Sequence, residues 1–278
     1  MDIKKILVPI DFSPCSVNAL RMAVFIAKML NSEMKILTAV NKKEHADASM
    51  VRSNSFPDGS HYMEDEEKKF DGLIHEIPEL CNILYETHKA SASFTHAIEE
   101  SLQKDKIDFI IMGTKGSHDS LEKLIGSNSS KVIAMSNVPV LMIPENIKSL
   151  SSELIGFAAD LKEINDAGKL ELLNFFAKAT NSEVKIFHIA AKDDDTHSTQ
   201  VGREKMKILN SLTDIPHSYV WISEEDVYEG IIDFIEKYKV DMMVMYPRHH
   251  SFWDRLLHGS VTKKVALSIH IPLLAIPD

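Results

Sequence analysis

Two halves of this 278-residue chain carry the same segments in the same order, which constrains the fold more than any other feature. The segment Ser32–Val40, SEMKILTAV, is matched by Ser182–Ala190, SEVKIFHIA, and GSNSSKVIAMSNVPVLMIP is matched by HGSVTKKVALSIHIPLLAIP. Two homologous domains in tandem account for such a repeat. The polar stretch Glu145–Ser152 separates them, and we predict domains over residues 1–146 and 152–278.

The first half alternates apolar strands with periodic helices. Lys4–Ile10 is a nearly continuous apolar run, typical of a strand buried on both faces of a parallel sheet. Ser13 and Pro14 supply an N-cap and a first-turn proline for a helix over Cys15–Leu30. Further strands are predicted over Met34–Val40, Asn82–Thr87, Ile107–Met112 and Val138–Ile143, and further helices over Glu64–Glu76, Ser93–Lys104 and Ser127–Met135. The predicted fold class is α/β, with two tandem, doubly wound, five-stranded parallel-sheet domains of Rossmann-like type.

Composition narrows the class of partner. A formal net charge of −10, without a basic stripe interleaved with aromatics, argues against nucleic acid. The two cysteines, Cys15 and Cys81, are expected to be unpaired thiols of a reducing compartment. The start of the chain does not resemble a secretory signal, and no apolar run approaches the roughly 18 residues that span a bilayer. We therefore expect a cytoplasmic protein without a membrane partner.

A glycine stretch follows the strand that ends at Met112. Gly113 and Gly116 form a loop, and Gly126 opens a helix whose first residues are Ser127, Asn128 and Ser129. Glycines let the backbone approach a ligand or take a positive φ, while the N–H groups and hydroxyls of a helix start donate to phosphate oxygens. This pattern predicts a phosphate site, and capping by Ser127 is compatible with it.

Asp11 and Val40 end the first two strands and are expected at the other end of the ligand. A carboxylate beside a polyphosphate is repelled, so Asp11 suits the ribose hydroxyls better, unless it only caps the helix that follows. The backbone of Val40 is placed to hold the edge of an adenine ring.

These residues resemble the universal stress protein family in its tandem form. The resemblance rests on KILVPIDFS near the start, on the spacing of Gly113, Gly116 and Gly126-Ser127, and on the strand ending PVLMIP. It implies an adenine nucleotide alpha hydrolase-like fold and ATP, or else AMP or ADP, bound with Mg²⁺ or Mn²⁺. By this resemblance Asp11 and Val40 serve the nucleoside, while Gly113, Gly116, Gly126, Ser127 and Ser129 serve the phosphates. It also implies pairing through the last strands as an intrachain pseudo-dimer, with a homodimer as a further possibility.

The second half departs from this pattern at the glycine loop. Tyr246, Pro247, Arg248 and His249 replace the first half's loop residues, and the proline removes an N–H donor. We therefore predict one nucleotide per chain, bound in the first half. The leading function is a stress-response regulator with a protein partner; slow ATP hydrolysis, nucleotidyl transfer and a nucleotide-free scaffold are the alternatives. The sequence suggests no catalytic or metal-ligating residue of its own.

Overall fold

A computed structural model describes residues 2–39, 69–114, 127–159, 170–190, 199–212, 214–245 and 270–277. The strands are β1 (Lys5–Ile10), β2 (Glu33–Ala39), β3 (Tyr85–Ala90), β4 (Phe109–Thr114), β5 (Val140–Pro144), β6 (Leu154–Ala158), β7 (Glu183–Ala190), β8 (His217–Ser223), β9 (Met242–Met245) and β10 (Leu273–Ala275). The helices are α1 (Pro14–Leu30), α2 (69–76), α3 (Phe94–Lys104), α4 (Ser127–Met135), α5 (Glu171–Thr180), α6 (Thr199–Ser211) and α7 (Val227–Tyr238), with a 3₁₀ turn at Pro78–Asn82.

The described strands form a single sheet in the order β3-β2-β1-β4-β5-β10-β9-β6-β7-β8. Each half contributes five parallel strands with the same internal order, which confirms the predicted fold class. The halves meet where β5 and β10 pair antiparallel, with Leu141 opposite Leu274. The predicted pairing of the two last strands within one chain is thus present.

Two layers of apolar side chains cover the two faces of the sheet, and each layer runs through both halves. On one face, Leu141 of β5 and Leu274 of β10 belong to the same buried cluster. Phe109 of the first half lies 6.5 Å, between ring centroids, from Phe176 of the second. The seam between the halves therefore lies inside a continuous core.

Equivalent helix ends show the repeat at atomic detail. Asn31 and Asn181 both end their helices in the left-handed region, at φ 54°, where asparagine is tolerated. The serine that follows each one donates to a backbone carbonyl, Ser32 to Ile3 at 2.5 Å and Ser182 to Ser152 at 2.6 Å. The two halves thus use the same turn between helix and strand.

Most predicted elements of the first half lie within one or two residues of their predicted bounds, but the third strand was misplaced. Asn82 belongs to the 3₁₀ turn, and β3 begins only at Tyr85. This edge strand is polar and largely exposed, so it lacks the apolar pattern that marks the buried strands. Its register instead follows from pairing with β2 and from an ion pair between Lys5 and Glu86 at 3.2 Å.

None of the helices within the described ranges has the length and apolar character that crossing a membrane requires. Cys15 is buried and Cys81 is exposed, and both are free thiols, as predicted. Met242, Met243 and Met245 are buried in the sheet and belong to its core packing.

Candidate functional site

The candidate site lies where the order of the first half's strands reverses. The chain moves from β1 to β2 on one side and later returns to β4 on the other, so β1 and β4 are neighbours. Their register, with Leu7 opposite Ile110, brings their carboxyl ends side by side. Open α/β sheets bind ligands at such a switch point. Asp11 follows β1, and Gly113 lies at the end of β4.

Asp11 forms a compact turn with the start of α1. Its Oδ1 accepts the Ser13 N–H at 3.0 Å and the Ser13 hydroxyl at 2.5 Å. Partial burial of the carboxylate acts to raise its pKa, but hydrogen bonds from Ser13 and Ser16 outweigh burial and hold the pKa below its ordinary value. Asp11 is therefore ionised at neutral pH, and in this form it accepts hydrogen bonds.

This geometry bears on both interpretations of Asp11. Ser13 is the N-cap of α1 and accepts the Ser16 N–H, so Asp11 supports the cap through Ser13 instead of capping the helix itself. The residue as a whole is exposed, so a ligand can reach it. The pairing of Ser13 with Asp11 was missed in the sequence, although the D-x-S spacing is a known signal for such a turn.

Gly113 lies against the backbone of α1. A Cβ at this position would lie 2.3 Å from the Cys15 carbonyl oxygen and 2.9 Å from the Ser16 nitrogen. No glycine in the described part of the chain has a positive φ, so a left-handed backbone is not the reason for Gly113. The glycine permits close packing of β4 on the first turn of α1, a role that the sequence did not indicate.

Phe12 is a strained residue that sequence reasoning missed. It has φ 61°, in the left-handed region that a bulky side chain rarely adopts. Its ring packs edge to face on Phe70 of α2, with centroids 5.3 Å apart, and the Lys69 ammonium lies 5.5 Å from the ring centroid. These contacts hold the loop between Asp11 and α1 in place.

The remaining predicted residues are only partly described. Ser129 is buried in the first turn of α4. Ser127 and Asn128 lie in the same turn, but the structure does not describe their side chains. Val40, Gly116 and Gly126 lie outside the described residues, so their predicted roles stay predictions.

The carboxyl edge of the second half carries larger side chains. His188 is the counterpart of Thr38 in the repeat, and its Nδ1 lies 2.7 Å from the Ala159 carbonyl oxygen. The His188 ring lies 4.8 Å from Trp221. Thr38 is buried, and its hydroxyl has no hydrogen-bond partner among the described residues. An imidazole thus lies where the first half has the small Thr38, and the neighbouring indole lies where the first half has Lys89. The loop Tyr246–His249 lies outside the described residues, as does Asp160, the counterpart of Asp11 in the repeat.

Comparison with known proteins gives three findings. A family model described as the universal stress protein family matches the chain twice, over residues 2–144 and 149–277. A universal stress protein of Bacillus subtilis is 29% identical over 146 residues, and the alignment covers 50% of this chain and 97% of the relative. A universal stress protein of Methanocaldococcus jannaschii is 26% identical over 140 residues, and that alignment covers 50% of this chain and 81% of the relative. A solved universal stress protein of Archaeoglobus fulgidus aligns with 100% of this chain and 99% of its own, at 21% identity and a TM-score of 0.72.

Proposed function

The chain belongs to the universal stress protein family as a tandem two-domain member, and from this premise we propose that its first half binds ATP, or else AMP or ADP. The nucleotide lies across the carboxyl ends of β1 and β4. Asp11 accepts a hydrogen bond from a ribose hydroxyl, the backbone of Val40 contacts the adenine edge, and the phosphates lie along the glycine loop toward α4.

One observation carries this proposal: an ionised carboxylate and a closely packed glycine occupy the two strand ends that flank the switch point. Asp11 and Gly113 are far apart in sequence, and the sheet register makes them neighbours. A carboxylate suits hydroxyl donors, whereas backbone N–H groups at a helix start suit phosphates. The site therefore suits the two ends of a nucleotide: the acceptor at β1 suits the sugar, and the N–H donors beyond β4 suit the phosphates.

The proposal includes Mg²⁺ or Mn²⁺ carried on the phosphates of the nucleotide, where a cation neutralises their mutual repulsion. It assigns one nucleotide to each chain. The bulkier edge of the second half, with His188 beside Trp221, supports this asymmetry. As a functional role we propose a cytoplasmic regulator whose occupancy changes its association with a protein partner, without catalysis.

Calorimetric titration of the full chain with ATP and Mg²⁺ tests the proposal. We expect one site per chain, and at least about tenfold weaker binding in Asp11→Ala, because a hydrogen bond to a charged group contributes about 1.5–3 kcal/mol. Asp214→Ala is the matched control, since this exposed carboxylate precedes β8, the outermost strand of the second half, and should leave affinity unchanged. Mass spectrometry of ligands released from the native protein tests the identity of the nucleotide.

Three results would contradict the proposal. Two equivalent sites per chain would overturn the assignment to the first half. Phosphate release faster than nucleotide dissociation would favour the hydrolytic alternative. A protein that neither carries nor is thermally shifted by ATP would favour the scaffold.

A further inference from the structure

Ser13 is the main neighbour that orients the Asp11 carboxylate. Both donors on Oδ1, the N–H and the hydroxyl, belong to Ser13. Ser16 and the Asp11 backbone add further hydrogen-bonding interactions with the carboxylate. Ser13 thus holds one carboxylate oxygen, and the residue as a whole is exposed at the end of β1.

The hydroxyl of Ser13 has one proton, and the surrounding acceptors determine where it goes. The Asp11 carboxylate, at 2.5 Å, is the strongest of these acceptors. In the 3.1 Å contact between Ser13 Oγ and Cys15 Sγ, the thiol is then the donor. Ser13 Oγ also accepts the Ser16 N–H at 3.4 Å. The hydroxyl is therefore held from the α1 side while it donates to Asp11.

We infer that Ser13 is a positioning residue for nucleotide recognition: it holds Asp11 in one rotamer, with Oδ2 presented to a ribose hydroxyl. The ligand class that follows is nucleotides with a free ribose hydroxyl, preferred over those without one. This inference rests on the proposed function. Without Ser13 the carboxylate is free to rotate, and a ribose hydroxyl must then order it at the cost of conformational entropy.

Titration with ATP and 2′,3′-dideoxy-ATP tests the inference, because the two ligands differ only in the ribose hydroxyls. We expect the wild-type chain to prefer ATP by about tenfold or more. In Ser13→Ala this ratio should fall to about twofold to threefold, while dideoxy-ATP binds as before. Ser13→Thr keeps a hydroxyl and should restore most of the preference.

A pH series gives a readout that a purely structural role of Ser13 would not change. Hydrogen bonds from Ser13 favour the ionised carboxylate, so their loss raises the pKa of Asp11 in the Ser13→Ala chain. As the pH is lowered, the preference for ATP over dideoxy-ATP should then disappear at a higher pH in Ser13→Ala than in the wild type. The phosphates titrate alike in both nucleotides and cancel in the ratio. The nearest other ionisable groups are the Cys15 thiol on α1 and the Lys69 ammonium on α2. These helices also carry Arg21, Lys28, Asp71, His75 and Glu76, and the Ser13→Ala chain retains all of these groups.

The Ser13→Ala change also removes the N-cap of α1, so a control for the loss of a helix cap is needed. Asp226→Ala is this control, because it removes the N-cap of α7 in the second half. This variant should lower the thermal midpoint in a similar way and leave the ratio of ATP to dideoxy-ATP affinity unchanged.

If the wild type does not bind ATP, the proposed function fails, and the inference fails with it. If the wild type prefers ATP and Ser13→Ala keeps both the ratio and its pH dependence, the positioning role is overturned while the proposed function stands.

Discussion

Gly113 combines two requirements at one position. The strand end it occupies lies beside Asp11, and its α-carbon lies against the first turn of α1. A side chain here would contact backbone atoms, which cannot rotate away as the end of a side chain can. The position therefore requires glycine for packing, whether or not a ligand is bound.

We predict that Gly113→Ala destabilises the chain by about 1–3 kcal/mol, because the added methyl group forces β4 and α1 apart. Gly72→Ala is the matched control. A Cβ at Gly72 has no neighbour within 4 Å, and its helical position should gain about 0.5–1 kcal/mol from alanine. Urea unfolding measures both variants. Equal midpoints for the two would show that the close approach of β4 to α1 carries no energetic cost.

At the scale of elements, the two halves anchor their first strands in the same way. Asp108, just before β4, accepts the N–H groups of Lys4 and Lys5 at 2.8 and 2.9 Å. Asp241, just before β9, accepts those of Glu153 and Leu154 at 2.8 and 3.0 Å. Each carboxylate thus joins the start of one strand to the start of its neighbour, and both halves have the same hydrogen-bonding arrangement.

Asp108→Ala and Asp241→Ala should each cost about 1–2 kcal/mol, since each leaves two backbone N–H groups without their acceptor. Because the two sites are equivalent, the two losses should be similar. Asp108→Asn keeps a carbonyl oxygen as an acceptor and should lose about half as much as the alanine variant. Chemical denaturation at neutral pH measures these differences. A loss in one half alone would contradict the equivalence of the two anchors.

At the scale of the whole molecule, the seam between β5 and β10 joins two sheets into one. Leu141 and Leu274 face each other across it and are fully buried in a cluster drawn from both halves. Neither half keeps a complete core alone, because each contributes side chains that the other covers. We therefore expect the chain to unfold in one cooperative transition.

Leu274→Ala tests this coupling, and a cavity at a fully buried leucine costs about 2–5 kcal/mol. Both tryptophans lie in the second half, so fluorescence reports its unfolding. In a Cys81→Ser background, thiol labelling of the buried Cys15 reports the first half. Both signals should shift to the same lower urea concentration. Separate midpoints would show that the halves unfold independently.

The sequence alone was sufficient for the features that depend on local or periodic information. It predicted the tandem repeat, the alternation of strands and helices, the cap at Ser13 and Pro14, and the placement of Asp11 and Gly113 at strand ends. Buried parallel strands are apolar throughout, and a helix start has its own residue preferences, so both can be recognised from the sequence. The edge strand β3 was misplaced because its side chains are polar and exposed.

The tertiary structure alone decided which distant segments meet. It joined the last strands into a seam, placed Gly113 on the Cys15 carbonyl and brought the strand ends of Asp11 and Gly113 together at the switch point. It also showed that Ser13 donates two hydrogen bonds to one oxygen of Asp11. These arrangements depend on register, packing distance and rotamer, which are set by contacts between residues remote in sequence and therefore have no periodic or local signal.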